Sequence, residues 1–260
     1  MTPPDKPLPN GPTRLWLIRH GESAGNLARD AADAAGLPRV DIQGRDVEVP
    51  LSERGVAQGR ALGHWFAKLP REQQPEVILS SPYLRARHTA NLIRETSGRH
   101  AELSLVIDER LREREFGILD GLTKAGVEQA FPQQAQLRQV LGKFYHRPPG
   151  GESWCDVILR MRSTLHTLSL HYTGKQVLIV THQTVVLCLR YLLENMDEAQ
   201  ILEIDRTDDV VNCGVTEYEY EPGKTGAEGG LVLTRYNFTA PLKHAGAAVT
   251  VAPDLSSAKR

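Results

Sequence analysis

The sequence predicts an α/β fold: a largely parallel sheet with helices on both faces, a three-layer α/β/α sandwich. Three observations predict it. Short apolar runs alternate with amphipathic helical stretches along the chain. Runs such as Leu15–Ile18 and Val177–Val180 are continuous rather than alternating, the pattern of strands covered on both faces. At 260 residues the chain is long enough to bury a sizeable core.

In chain order, residues 1–13 are polar and proline-rich and are expected to form a disordered lead. Leu15–Ile18 is the first strand, closed by Gly21. Residues 27–50 are polar and acidic, with Gly36, Pro38 and Pro50, though "NLARDAADAAG" is compatible with a short helix. Connections of this length are often functional, and this one is expected as either a lid over a pocket or a surface excursion. Ser52 is an N-cap for a helix to about Leu69. Glu76–Leu79 is the second strand. Ser81-Pro82 then supplies an N-cap and a proline at the first helical position, for a helix to about Thr96 that Ser97-Gly98 ends.

Leu103–Ile107 is a weaker third strand. Residues 122–146 are helical pieces broken at Pro132. After "PPGGES", the apolar stripe Trp154, Val157, Ile158, Met161, Leu165, Leu168 has helical spacing. Val177–Val180 is the fourth strand and leads through Thr181-His182 into a helix rich in Val and Leu. Residues 215–220 and 231–238 are expected to close the sheet as a hairpin across "EPGKTGAEGG". A single domain over residues 14–240 follows, with 241–260 as a loose tail.

Composition narrows the function classes. The formal net charge of −1 gives no basis for binding nucleic acid or a membrane surface. The 3 cysteines are far apart and form no CxxC, which fits small core residues in a reducing compartment. The opening segment has no apolar h-region, and no apolar run approaches spanning length. The expected location is the cytoplasm. "NCGVTEYEY" is open to either a paired edge strand or a homodimer interface.

In open α/β sheets, sites form beyond the carboxyl ends of the strands. The first strand delivers Arg19 and His20 there. The second leads to Arg85 in the first turn of a helix, and the fourth delivers His182 at a helix start. Taken singly, each is more often a solvated edge, a surface arginine or a cap. Together, two arginines, two histidines and helix-start amides make an oxyanion pocket, and the planar guanidinium fork matches a phosphoryl group.

"LIRHGES..N" resembles the signature of the histidine phosphatase superfamily, which includes cofactor-dependent phosphoglycerate mutases and fructose-2,6-bisphosphatase. The later segments "LSERGVAQ", "SSPYLRARHTA", "RLREREFGILDG", "GGES" and "VTHQ" are similar in order, so the resemblance spans about Arg14 to Tyr220. It implies the phosphoglycerate mutase-like fold and a covalent mechanism without a metal or other cofactor. His20 would take the phosphoryl group, and Arg19, Arg85 and His182 would hold its charge. Asn26 matches an asparagine that contacts the phosphoryl group. The residues alone leave Glu109, Glu113 and Glu115 open as the proton donor; the family pattern matches Glu113 ahead of Phe116-Gly117.

The resemblance also places Gly21, Glu22, Ser23, Gln183 and Lys143 in substrate binding, with Arg147 and Trp154 toward the substrate end. Loop capping is the alternative for Glu22 and Ser23, and the core for Trp154. Leu187 stands where bisphosphatase-like members carry an arginine, which counts against fructose 2,6-bisphosphate. The leading expectation is a phosphatase acting on a small phosphomonoester. The alternatives are a cofactor-dependent phosphoglycerate mutase and a non-catalytic phosphate-binding interaction module. "HQ" at 182, where mutases usually carry "HGN", weighs against the mutase.

Overall fold

A computed structural model describes residues 10–42, 44–99, 101–223 and 229–251. A six-stranded sheet lies at its centre. Its strands are β1 (Arg14–Arg19), β2 (Val77–Ser80), β3 (Ser104–Ile107), β4 (Gln176–Thr181), β5 (Val215–Glu221) and β6 (Gly230–Phe238), in the spatial order β3-β2-β4-β1-β5-β6. The first four in that order are mutually parallel; β5 runs antiparallel to β1, and β6 antiparallel to β5. The helices among the described residues are α1 (Ala24–Ala34), α2 (Glu53–Lys68), α3 (Leu84–Thr96), α4 (Lys124–Ala130), α5 (Pro132–Tyr145), α6 (Trp154–His171), α7 (Gln183–Leu193), α8 (Glu198–Thr207) and α9 (Ala240–His244).

The strand pleat sorts the apolar runs into two cores. Leu15 and Leu17 of β1, with Val177 and Ile179 of β4 and Val77 and Leu79 of β2, face a layer that includes α6 and α7. Trp16 and Ile18, Leu178 and Val180, and Ile78 face the opposite layer of α2, α3 and α9. This is why the runs carry no polar alternation: both faces are covered. No helix among the described residues is long and apolar enough to cross a membrane.

Two expectations meet a different structure, and one that the sequence left open is resolved. The helix after β2 starts at Leu84, with Tyr83 at its N-cap and no side-chain cap bond. Ser81 does not cap it, because its hydroxyl lies 2.8 Å from His182 Nε2 while accepting the Tyr83 N–H. The stretch "NLARDAADAAG" is helical through Ala34, as its composition allows, within α1, whose N-terminus carries a capping box in which Ser23 and Asn26 bond reciprocally. Residues 241–251 are not a loose tail: Leu242 of α9 is buried in the α2/α3 core, and Thr250 accepts from Gln58 and bonds Asn212. The lead at 1–9 and the final 252–260 lie outside the described residues, and so does part of the hairpin turn.

The strand register is what gathers the site. Arg19 pairs with Thr181, and Ser80 with Val180, so β1, β4 and β2 end nearly level and release His20, His182 and Ser81 side by side. The segment after β1 is then pressed against the start of α2. A side-chain carbon on Gly55 would meet the Glu22 carbonyl oxygen at 2.0 Å, and one on Gly21 would meet the Gly55 oxygen at 2.6 Å. Both neighbours are backbone and cannot swing away. We predict that Gly55→Ala destabilises the protein by about 2 kcal/mol in urea unfolding, the usual range for overpacking a tight contact, and lowers activity with it. An unchanged unfolding midpoint would contradict this close approach.

Candidate active site

His20 follows β1 directly. Its backbone N–H donates to the Thr181 carbonyl at 2.8 Å, and its own carbonyl accepts from Asn212 Nδ2 at 3.1 Å. Its ring is fixed from both sides. Nδ1 lies 2.7 Å from the Gly21 carbonyl, which can only accept, so Nδ1 carries the proton. Nε2 therefore holds the lone pair, and it accepts from Arg85 Nε at 3.2 Å. Burial first, then the Arg85 and Arg19 charges, hold the imidazole well below its usual titration range; the Gly21 bond opposes this weakly.

His182 stands at the N-cap of α7, with its ring centroid 5.1 Å from that of His20. Its Nε2 bonds Ser81, while its Nδ1 has no hydrogen-bond partner among the described residues. Burial and the Arg85 charge keep this ring well below its usual range as well. Glu113 Oε2 is 3.6 Å from that Nδ1, and Glu113 Oε1 accepts the Arg114 N–H. Among the three glutamates left open by composition, Glu113 is the one that faces the histidines. Glu115 accepts from the Tyr83 hydroxyl, and Glu109 is exposed.

Arg85 projects from the first turn of α3, packed over the Tyr83 ring at 4.9 Å. Besides its contact with His20, its Nη1 and Nη2 grip both carboxylate oxygens of Asp46 at 2.9 and 3.0 Å. Arg19 donates to the Val210 carbonyl at 2.6 Å. The cluster is closed to solvent: His182 is 0%, His20 and Arg19 3%, and Arg85 6% exposed.

The structure brings His20, His182, Arg19, Arg85, Gly21 and Glu113 together, and it spreads the remaining expected residues. Glu22 is spent on Ser52 and Arg54, and Ser23 with Asn26 on the α1 cap. Gln183 is buried beside His182, and its amide makes no hydrogen bond among the described residues. Lys143 is drawn elsewhere: its ammonium pairs with Asp205 of α8 and sits over the Trp154 ring, tying α5 to two neighbours. Trp154 is core, and Arg147 pairs with Asp156.

Several supporting residues escape sequence reasoning. Glu152 of "GGES" accepts from Arg112 and from both ends of the Arg160 fork, and takes the Glu115 N–H, which holds the segment carrying Glu113. Gln58, Thr250 and Asn212 form a chain of bonds from the Glu22 N–H to the His20 carbonyl. Thr89 accepts from the Gly21 N–H. Apart from Arg160, 8 residues from Glu152, these partners are dozens to almost two hundred residues apart in sequence, and no local pattern announces them.

Comparison with known proteins gives the family and the fold. The histidine phosphatase superfamily (branch 1) is matched over residues 15–229. A curated relative from Yersinia pestis, named a probable phosphoglycerate mutase, is 28% identical over 221 residues, covering 84% of this chain and 90% of its own. A mycobacterial glucosyl-3-phosphoglycerate phosphatase superposes with a TM-score of 0.66 at 28% identity, covering 87% of this chain and 99% of its own. The alpha-ribazole phosphatase of Shigella flexneri shares the fold, with a TM-score of 0.66 at 22% identity over 86% of this chain and 96% of its own.

Two buried, neutral imidazoles have a consequence for stability. An unfolded histidine takes up its proton near pH 6.5, while these rings resist it. As pH falls below about 6.5 the unfolded chain binds protons that the folded one does not, so stability declines by up to about 1.4 kcal/mol per pH unit for each ring, until the buried rings themselves protonate. Urea unfolding between pH 7 and 5.5 should show this decline, and His20→Gln should reduce its slope by one ring's share. A slope identical in the two proteins would mean that His20 takes up its proton as readily when folded as when unfolded.

Proposed function

Because the chain belongs to the histidine phosphatase superfamily (branch 1), we propose that it is a phosphatase that hydrolyses a small phosphomonoester through a phosphohistidine on His20. One observation carries the reading. The His20 Nδ1 proton is committed to the Gly21 carbonyl, so the lone pair on Nε2 points to where Arg85 and His182 converge.

In the first step the Nε2 lone pair forms the N–P bond as the P–O ester bond breaks in line. Arg19, Arg85 and His182 hold the charge that spreads over the equatorial oxygens. Glu113, within reach of His182, gives a proton to the leaving oxygen. The ring becomes cationic while phosphorylated, and the Gly21 carbonyl stabilises its Nδ1–H in that state. In the second step Glu113 takes a proton from water, the hydroxyl attacks phosphorus, and the N–P bond breaks to restore neutral His20.

A second reading, phosphoglycerate mutase activity, draws on the name of the Yersinia relative. Gln183 after His182, in place of the glycine-asparagine usual in mutases, favours hydrolysis. Purified protein should hydrolyse p-nitrophenyl phosphate faster than it interconverts phosphoglycerates; the reverse ranking would establish the mutase. His20→Ala should abolish turnover. Glu113→Gln should slow an alkyl phosphate about a hundredfold more than p-nitrophenyl phosphate, whose leaving group needs no proton. Equal slowing of both would remove Glu113 from the donor role.

A further inference from the structure

The long acidic connection after α1 ends in a short 3-10 turn, Asp46–Glu48, that lies against α3. The turn is anchored by buried apolar residues on either side, Val40 and then Val49 and Leu51. Its contact with Arg85 comes down to one residue, Asp46. The Asp46 carboxylate lies across the Arg85 fork with one oxygen on each terminal nitrogen, at 2.9 and 3.0 Å, and the Asp46 carbonyl takes a further bond from Nη1 at 2.8 Å. Two anionic oxygens, one on each guanidinium nitrogen, are also what a phosphoryl group would present to the same fork. While this pair stands, Arg85 Nε also covers the lone pair of His20 Nε2.

We propose that Asp46 is an intramolecular competitor for the phosphoryl seat on Arg85. The proposal rests on the phosphatase reading above and goes beyond it by naming what the substrate must displace. A phosphoryl dianion entering the site takes the fork from Asp46, and the same movement draws Arg85 off the His20 lone pair and frees it to attack. Asp46 can yield without unfolding anything, because its side chain is 37% exposed where Arg85 is 7%. Displacement therefore sends the carboxylate outward to water and leaves the buried guanidinium with the new anion. The cost of that displacement sets the affinity for substrate and product alike, since only the fraction of molecules with a vacated fork binds them. An anion too weakly charged to outcompete a carboxylate, such as a sulfate monoester, is excluded by the same contact.

The competitor differs from a positioning residue in the sign of its effect. Were Asp46 needed to orient Arg85, its removal would weaken anion binding. The test is titration calorimetry with inorganic orthophosphate on the wild type, Asp46→Asn and Asp46→Ala, with p-nitrophenyl phosphate kinetics in parallel. Both variants should bind orthophosphate about tenfold more tightly than the wild type, and KM should fall in the same proportion. Phosphate affinity that is unchanged or weaker in both variants, with the wild type still hydrolysing p-nitrophenyl phosphate, would overturn the competitor and leave the phosphatase reading intact. Failure of all three proteins to bind orthophosphate or turn over any phosphoester would overturn both.

Discussion

The hydrogen bond from His20 Nδ1 to the Gly21 carbonyl is the constraint on which the rest depends. A carbonyl oxygen cannot donate, so this contact decides the tautomer and leaves the lone pair on Nε2, toward the arginines. Burial and two guanidinium charges then make protonation costly. A histidine placed against a carboxylate would be pulled the other way and would lose its nucleophilic lone pair. The site is thus built to keep one ring neutral amid positive charge, and the same charge serves an arriving dianion.

Holding that ring requires far more of the chain than the few residues that touch it. The level ends of β1, β2 and β4 set His20, Ser81 and His182 abreast. Gly21 and Gly55 let the loop after β1 press onto α2. Glu152 gathers Arg112, Arg160 and the Glu115 amide, and so fixes the segment from which Glu113 faces His182. From the far end of the chain, Thr250 and Asn212 brace the His20 backbone. Most of these are bonds to charged or buried polar groups, whose loss is costlier than that of surface pairs. Asp46, by contrast, meets Arg85 with a side chain that is partly exposed.

Much of this was legible in the sequence, for physical reasons. Continuous apolar runs identify strands covered on both faces, and the two cores on either side of β1 and β4 realise that pattern. Arg19, His20, Arg85 and His182 follow from their place at strand ends and helix starts. Other features depend on contacts that no local pattern encodes. Ser81-Pro82 has the composition of a cap, yet the hydroxyl is drawn to His182, a residue 101 positions away, and the helix begins later. Lys143 lies in a segment resembling a substrate-binding one, but Asp205 on α8 captures its charge. Residues 241–251 have the composition of a tail, yet Leu242 packs into the α2/α3 core and Thr250 bonds Gln58 and Asn212. Asp46 was visible only as one acid among several; its partner is chosen by the folding of the whole connection.

The central claim, a neutral His20 that carries phosphorus on Nε2, is tested most directly by trapping the intermediate. Enzyme mixed with a phosphomonoester for milliseconds and quenched into alkaline denaturant, where phosphohistidine survives, can be read by phosphorus NMR and peptide mass spectrometry. The account predicts a single phosphoryl group on His20, bonded to Nε2. Phosphate on any other side chain, on Nδ1 of His20, or on none while turnover proceeds, would contradict it.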